Sequence, residues 1–208
     1  MVYVALSRSL SMDAVRVTEA AAIAAARRSG SGDELAADQA AVNAARDALN
    51  GMAIDGTVVF GEGPEGLAEE LYLGETLGAG GPKVSIAIEA LECDTLAARS
   101  GPDAMSVMAL AEPGGLAALP NVYMNKVAVG PLIPEDAIDL DAEPGENIAA
   151  VAKTLGRPTT AVTACILDRP RHGDLLAAVR ATGARVRLIP EGDIAGVIAV
   201  ALVDSGVD

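Results

Sequence analysis

The stretch VSIAIEALECDTLAARSG, residues 84–101, passes from alternating aliphatics directly into acid. Val84, Ile86 and Ile88 alternate with Ser85 and Ala87; Glu89, Glu92 and Asp94 follow, with Cys93 and Thr95 among them. Carboxylates at the end of an apolar strand are costly to desolvate unless something compensates their charge. Two readings fit: a metal holds them there, or they form a solvated turn. Glu62 raises the same question. It stands in FGEGP, after another apolar strand and between glycines that let the backbone turn sharply and a ligand approach closely. The plain alternative is an exposed loop glutamate. Asp38 lies in a helical pattern in which Leu35, Val42 and Leu49 recur every seven residues. Its spacing turns it toward that apolar stripe, to a partner there or, from the stripe's edge, to water. Carboxylates at two neighbouring strand ends plus a stripe aspartate together suit an oxygen-rich site for Mg²⁺ or Mn²⁺.

The groups suited to an anion lie in the second half. DRPRH places Arg169, Arg171 and His172 after a strand and at the start of a helix. That is where an α/β fold offers free N–H groups, the positive end of a helix dipole and guanidinium forks to a phosphate. Pro170 between the arginines stiffens the loop, which favours phosphate binding over a surface loop that pairs with the chain's acidic excess. His172 is the only histidine, which argues against a histidine-based metal site or a Ser-His-Asp triad. Glu191 and Asp193, in the EGD turn after the following strand, suit sugar hydroxyls, with Asp193 alternatively capping the last helix.

The elements that must position these groups follow from the pattern. A helix is predicted over 12–28 with Ser11 as N-cap and SGSG as its stop, and a second over 34–49 with Asp33 as N-cap and Asn50-Gly51 as its close. Strands are predicted at 57–60, 84–88, 106–111 and 122–130, with Glu89 and Glu92 following the second of them. Residues 131–144, rich in Pro and Asp, read as a crossing between two halves. Beyond it helix and strand alternate: helix 146–155, strand 161–167, helix 173–182, strand 185–189, helix 194–203. Alternation of this kind implies a parallel sheet. The expected class is α/β, a layered α+β half over 1–135 and a β-α-β half over 136–208.

Composition bounds the partners. The net charge is −14, so phosphate backbones and anionic membranes repel the chain at long range, and nucleic acid is not an expected partner. With no Trp and one Phe, the core is built from small aliphatics. The two cysteines, Cys93 and Cys165, make no disulfide framework. No apolar run approaches the roughly 20 residues a membrane helix needs, and the start MVYVALSRSLS does not have the form of a secretory signal. A cytoplasmic protein is expected.

RVTEAAA, AADQAAV, IDGTVVFGEG, LYLGE, PNVYMNKVAVGP, LDRPRH and EGD, in this order and over nearly the whole chain, resemble the class II fructose-1,6-bisphosphatases. The resemblance implies the fold of the lithium-sensitive, metal-dependent sugar phosphatases. It implies hydrolysis of the 1-phosphate of fructose 1,6-bisphosphate with Mn²⁺ or Mg²⁺ in gluconeogenesis; some relatives also accept sedoheptulose 1,7-bisphosphate. By position, Asp38, Glu62, Glu89 and Glu92 would be the metal ligands, and Glu62 and Asp94 would stand at catalytic positions. Tyr123, Arg169, Arg171, Glu191 and Asp193 would contact substrate. The implied chemistry is in-line attack on phosphorus, with metals clamping the attacking and leaving oxygens.

The departures from the family pattern cluster at this chemistry. Where the family has Asp-Pro-Ile-(Asp or Glu)-Gly-Thr, residues 89–94 read EALECD: Glu89 replaces an Asp, Cys93 a Gly and Asp94 a Thr that helps position the attacking water. Gly66 takes the place of the Asp that pairs with that Thr, and SGDEL replaces a basic RGDKN. Family members also continue past the equivalent of VDSGVD into a strand and a Gly-Gly-x-Pro-Glu-Gly segment. The resemblance therefore implies either a phosphatase or a catalytically impaired homologue that binds sugar phosphates or partners a complete subunit. A homo-oligomer, or pairing with a complete homologue, is the expected assembly.

Overall fold

The computed structural model describes residues 8–117, 119–120, 122–202 and 204–208. In chain order the elements are α1 (Arg8–Ala26), α2 (Glu34–Asn50), β1 (Asp55–Phe60), β2 (Gly63–Pro64), β3 (Tyr72–Leu73), β4 (Thr76–Leu77), β5 (Lys83–Glu92), α3 (Asp94–Ala98) and β6 (Met105–Ala111), then α4 (Pro144–Thr154), β7 (Thr163–Leu167), α5 (Gly173–Ala181), β8 (Arg185–Ile189) and α6 (Asp193–Ala201). They form two compact units, Met1–Asn121 and Val122–Asp208. The boundary lies before the 135/136 division expected, because Val129 and Ile133 pack into the second unit's core.

In the first unit a four-stranded mixed sheet has the order β4-β1-β5-β6. β1 and β5 are parallel; β4 and β6 are antiparallel to their neighbours. α1 and α2 pack on each other and on one face of this sheet. The core between them is aliphatic: Val17, Ala21, Ala41, Leu49, Ile54, Val58, Ile86 and Ile88 are buried. The many alanines let the helices sit close to each other and to the strands. Asp33 caps α2 as expected, its Oδ1 accepting from Ala36 N at 3.0 Å. Two expectations fail here. α1 already includes Arg8, so Ser11 lies inside the helix and caps nothing. Leu35 is 76% exposed; the buried stripe of α2 is Ala37, Ala41, Val42, Ala45 and Leu49. Leu35 lies in the first turn on the side away from Ala37, the first residue of the buried stripe.

In the second unit β7 and β8 pair in parallel, with Thr163 opposite Arg185. α4 and α5 cover one face through Ile148, Val151, Ala152 and Val179. The strand expected at 122–130 does not form: the described residues there belong to no ladder. Their alternation is that of a strand, but no neighbouring strand takes up their backbone groups. The α/β class, with parallel pairing in the second half, is as expected.

An ion pair between buried Glu75 and half-buried Arg46 fixes the corner that leads to Glu62. Glu75, 4% exposed, accepts from Arg46 Nε at 2.7 Å and from Leu71 N at 2.5 Å. Leu71 O in turn accepts from Glu62 N at 3.1 Å. Gly61 permits that approach, since a Cβ there would lie 2.0 Å from Leu71 O. Replacing Glu75 with Ala leaves the Leu71 amide without its acceptor and Arg46 with only the longer contact to Glu70, 3.8 Å away, at a cost of about 2–3 kcal/mol. For a chain of this size the melting temperature then falls by about 4–12 °C; calorimetry of the variant checks it.

Candidate active site

The five acids singled out in the sequence come from four elements of the first unit. Asp38 lies one turn into α2, half-buried beside the stripe. Glu62 follows β1, and its Oε1 accepts from Ala90 N at 3.3 Å, which ties it to β5. Glu89 and Glu92 do not follow a strand as expected; both are part of β5, which runs on to Glu92. The apolar alternation stops at Ile88, but pairing with β6 continues through Glu89–Val107 to Glu92–Met105, with a register shift between. That irregularity re-aims the end of the strand. Asp94 opens α3 and accepts from Thr95 N at 2.7 Å.

α3 is held beside the start of α2 by the loop between the first two helices. Gly30 N donates to Ala97 O at 3.2 Å, Gly32 N donates to Ala98 O at 2.9 Å, and the Ser29 and Ser100 hydroxyls are 3.0 Å apart. SGSG is therefore more than a helix stop. It is the tether that keeps Asp94 within electrostatic range of Asp38.

The acids act on one another. Burial, then the charge of Asp94, raises the Asp38 pKa. Burial and Asp38 raise that of Glu62, against the opposing Ala90 hydrogen bond. Glu89 moves furthest, from 4.5 to about 8, through burial first and then Glu62, Glu92, Asp38 and Asp94. A set of hard oxygen donors whose charges are mutually disfavoured is chemically suited to a divalent cation, and the donor set fits Mg²⁺ or Mn²⁺. Among the described residues no three Asp, Glu, His or Cys groups are set to hold a metal.

The positions that depart from the family pattern have definite conformations. Cys93 has φ 73°, the left-handed region that favours glycine. Gly66 also has positive φ, 86°, and is exposed, with open space where a Cβ would lie. Cys93 and Cys165 form no disulfide.

In the second unit the Arg171 guanidinium lies over the Tyr123 ring, 4.5 Å from its centroid, while Tyr123 itself is 89% exposed. Arg169 Nη1 donates to Asp168 O at 3.1 Å and to Pro190 O, which braces the DRPRH loop against the turn after β8. His172 Nδ1 lies 2.9 Å from Leu167 O. Asp193 does not cap α6: Gly192 is the N-cap, and the Asp193 carboxylate pairs with Lys126. Glu191 Oε2 is sequestered from solvent without a hydrogen-bond partner among the described residues. Lys126 was not singled out in the sequence, although it stands three residues after Tyr123 in PNVYMNKVAVGP. Nothing local marks it; its pairing with Asp193 spans the whole unit.

A family described as bacterial fructose-1,6-bisphosphatase, glpX-encoded, matches residues 8–208. Over 204 residues the chain is 41% identical to fructose-1,6-bisphosphatase 1 class 2 of Escherichia coli strain K12, covering 98% of this chain and 60% of that protein. The class 2 enzymes of Escherichia coli O6:H1 and Shigella flexneri match to the same extent. The chain thus spans about three fifths of the length of these relatives.

Two predictions follow from the acids and from Cys93. The folded, metal-free protein keeps the Glu89 proton up to about pH 8, whereas the unfolded chain releases it near 4.5. The stabilisation is therefore complete below the lower value and lost as pH rises through the upper one. Glu89→Gln flattens the fall in melting temperature across this window and raises it by roughly 2–6 °C at pH 8 in chelator, as a pH series of thermal melts will show. Cys93→Gly removes a side chain from a left-handed residue, a gain of about 1 kcal/mol or some 2–4 °C in the same assay.

Proposed function

The chain belongs to the family of glpX-encoded bacterial fructose-1,6-bisphosphatases, and we propose that it hydrolyses the 1-phosphate of fructose 1,6-bisphosphate, the gluconeogenic reaction, with Mn²⁺ or Mg²⁺. Sedoheptulose 1,7-bisphosphate is the second substrate to try, and the cytoplasm is the proposed compartment. The observation that carries this reading is the electrostatic web of Asp38, Glu62, Glu89, Glu92 and Asp94, drawn from separate elements to one end of the sheet. Asp38, Glu62, Glu89 and Glu92 would hold the cation, which supplies Lewis acidity and charge neutralisation at phosphorus. The protein's own part is to place and to move a proton. Asp94 Oδ1 is engaged by Thr95 N, which leaves Oδ2 to accept the proton of the attacking water. Arg169 and Arg171 supply fork-shaped donors for a phosphate, and Tyr123 orients the second of them. Lys126 and the pairing of Asp193 with it add a polar edge for sugar hydroxyls.

A second reading is binding without turnover. It is favoured by Cys93 and Asp94, which add a side chain and a negative charge where an anionic substrate would react, and by Gly66, which brings no carboxylate. Phosphate release from fructose 1,6-bisphosphate with Mn²⁺, measured beside calorimetric binding of the same compound, separates the two. Release that Glu62→Gln lowers by about 10²-fold or more, and that Asp94→Ala lowers comparably, is the expected outcome. Saturable binding with no release in a folded sample would reject hydrolysis and leave the binding reading.

A further inference from the structure

α1 is apolar on two opposite faces. Its inner face, with Val17, Ala21 and Ala25, is buried in the first unit's core. The opposite face carries Met12, Val15, Arg16, Glu19, Ile23 and Ala26, spaced three or four apart, and all of them are exposed. Met12, Val15 and Ile23 are 56%, 45% and 55% exposed. The last two turns, AAAIAAA, carry no polar side chain in any direction. A helix that is hydrophobic all round is normally covered all round. Single exposed apolar side chains are ordinary, but a set aligned along one helix marks an interaction surface.

The charges on this face decide which partner it fits. Arg16 and Glu19, its two charged residues, pair with each other in the single chain. They stand at equal distances on either side of a point midway between Val17 and Thr18. Met12 and Ile23 are symmetric about the same point. A second copy of α1, laid antiparallel about a two-fold axis through that point, therefore sets Arg16 opposite Glu19 of the copy and Met12 opposite its Ile23, each match occurring twice. A register centred on Arg16 or on Glu19 instead sets like charges face to face. Small side chains at Ala22 and Ala26 let the two backbones approach. The wider charge distribution agrees. The chain carries −14 overall, yet residues 12–28 hold Asp13 and Glu19 against Arg16, Arg27 and Arg28. Two copies that meet through α1 thus meet where the acidic excess is absent.

We infer that the outer face of α1 is the contact by which two copies of this chain associate, as an antiparallel helix pair about a two-fold axis between Val17 and Thr18. The apolar matches supply the attraction, and the crossed Arg16–Glu19 pairs fix register and direction. The inference rests on the first unit alone and is independent of catalysis.

Sedimentation velocity of the intact chain, without substrate or metal, tests it. The expected result is a monomer–dimer equilibrium that is half dissociated at about 1–100 µM, since one helix pair is a small interface. Arg16→Glu alone and Glu19→Arg alone each set like charges across the axis and weaken the dimer about tenfold or more. Mixed in equal amounts, the two variants form a dimer of about wild-type affinity, because one presents an acidic face and the other a basic one. Ile23→Asp weakens the dimer by a factor comparable to the single charge reversals. Should a variant unfold in a thermal melt, hydrogen exchange of the unaltered chain gives the answer: exchange at residues 12–26 slows with rising concentration while that of β8 does not. A monomer up to about 200 µM, a dimer that survives both charge reversals, no recovery on mixing, or protection confined to another element overturns the inference.

Discussion

Mutual repulsion among acids is the constraint around which the first unit is arranged. Burial first, and then the charge of neighbouring acids, raises the proton affinity of Asp38, Glu62 and Glu89, with Glu92 and Asp94 among those neighbours. Such a set destabilises the metal-free fold at neutral pH, so the surrounding structure has to hold it in place. It does so with local, rigid means. The parallel pairing of β1 with β5 fixes Glu62 relative to Ala90. The Arg46–Glu75 pair fixes the corner before β4, and the SGSG tether fixes α3. The apolar core of small side chains beneath supplies the stability that the acids consume.

How much of this was legible in the sequence depended on whether the deciding contact was local. The α2 cap was legible, because Asp33 and the amide it satisfies lie within one turn. β8 was legible to the residue, since RVRLI is bounded by Thr182-Gly183 on one side and Pro190 on the other. The segment 122–130 has the same alternation and is not a strand, for pairing requires a neighbour that alternation cannot specify. Leu35 follows the seven-residue spacing but is exposed, and the buried stripe starts at Ala37.

The site shows the same division. Residue types picked out all five acids, but not that Glu89 and Glu92 stay within β5. Reading the strand as ended at the first acid assumed that charge terminates a strand, whereas pairing with β6 continues past it. In the second unit Tyr123 and Arg171 were both named, yet their stacking joins residues far apart in the chain. Lys126 went unnoticed for a related reason: a lysine among apolar residues has no local signature, and its partner Asp193 was assigned to the helix cap that Gly192 occupies.

Cys93 shows how a departure from a family pattern can keep the backbone while changing the chemistry. A left-handed residue between β5 and α3 is what lets the chain leave a strand and enter a helix within one position, and glycine does this without strain. Cys93 adopts φ 73° all the same, at a cost of about 1–2 kcal/mol. The turn persists because the residues on both sides over-determine it: Ala97 N donates to Cys93 O at 3.0 Å, while β6 holds Glu92 opposite Met105. The strain is thus borne by the packing of the first unit, and the placement of Asp94 survives the loss of the glycine. The change therefore bears on what the side chain brings to the neighbourhood of the acids, a thiol in place of a hydrogen atom, and not on whether the loop forms.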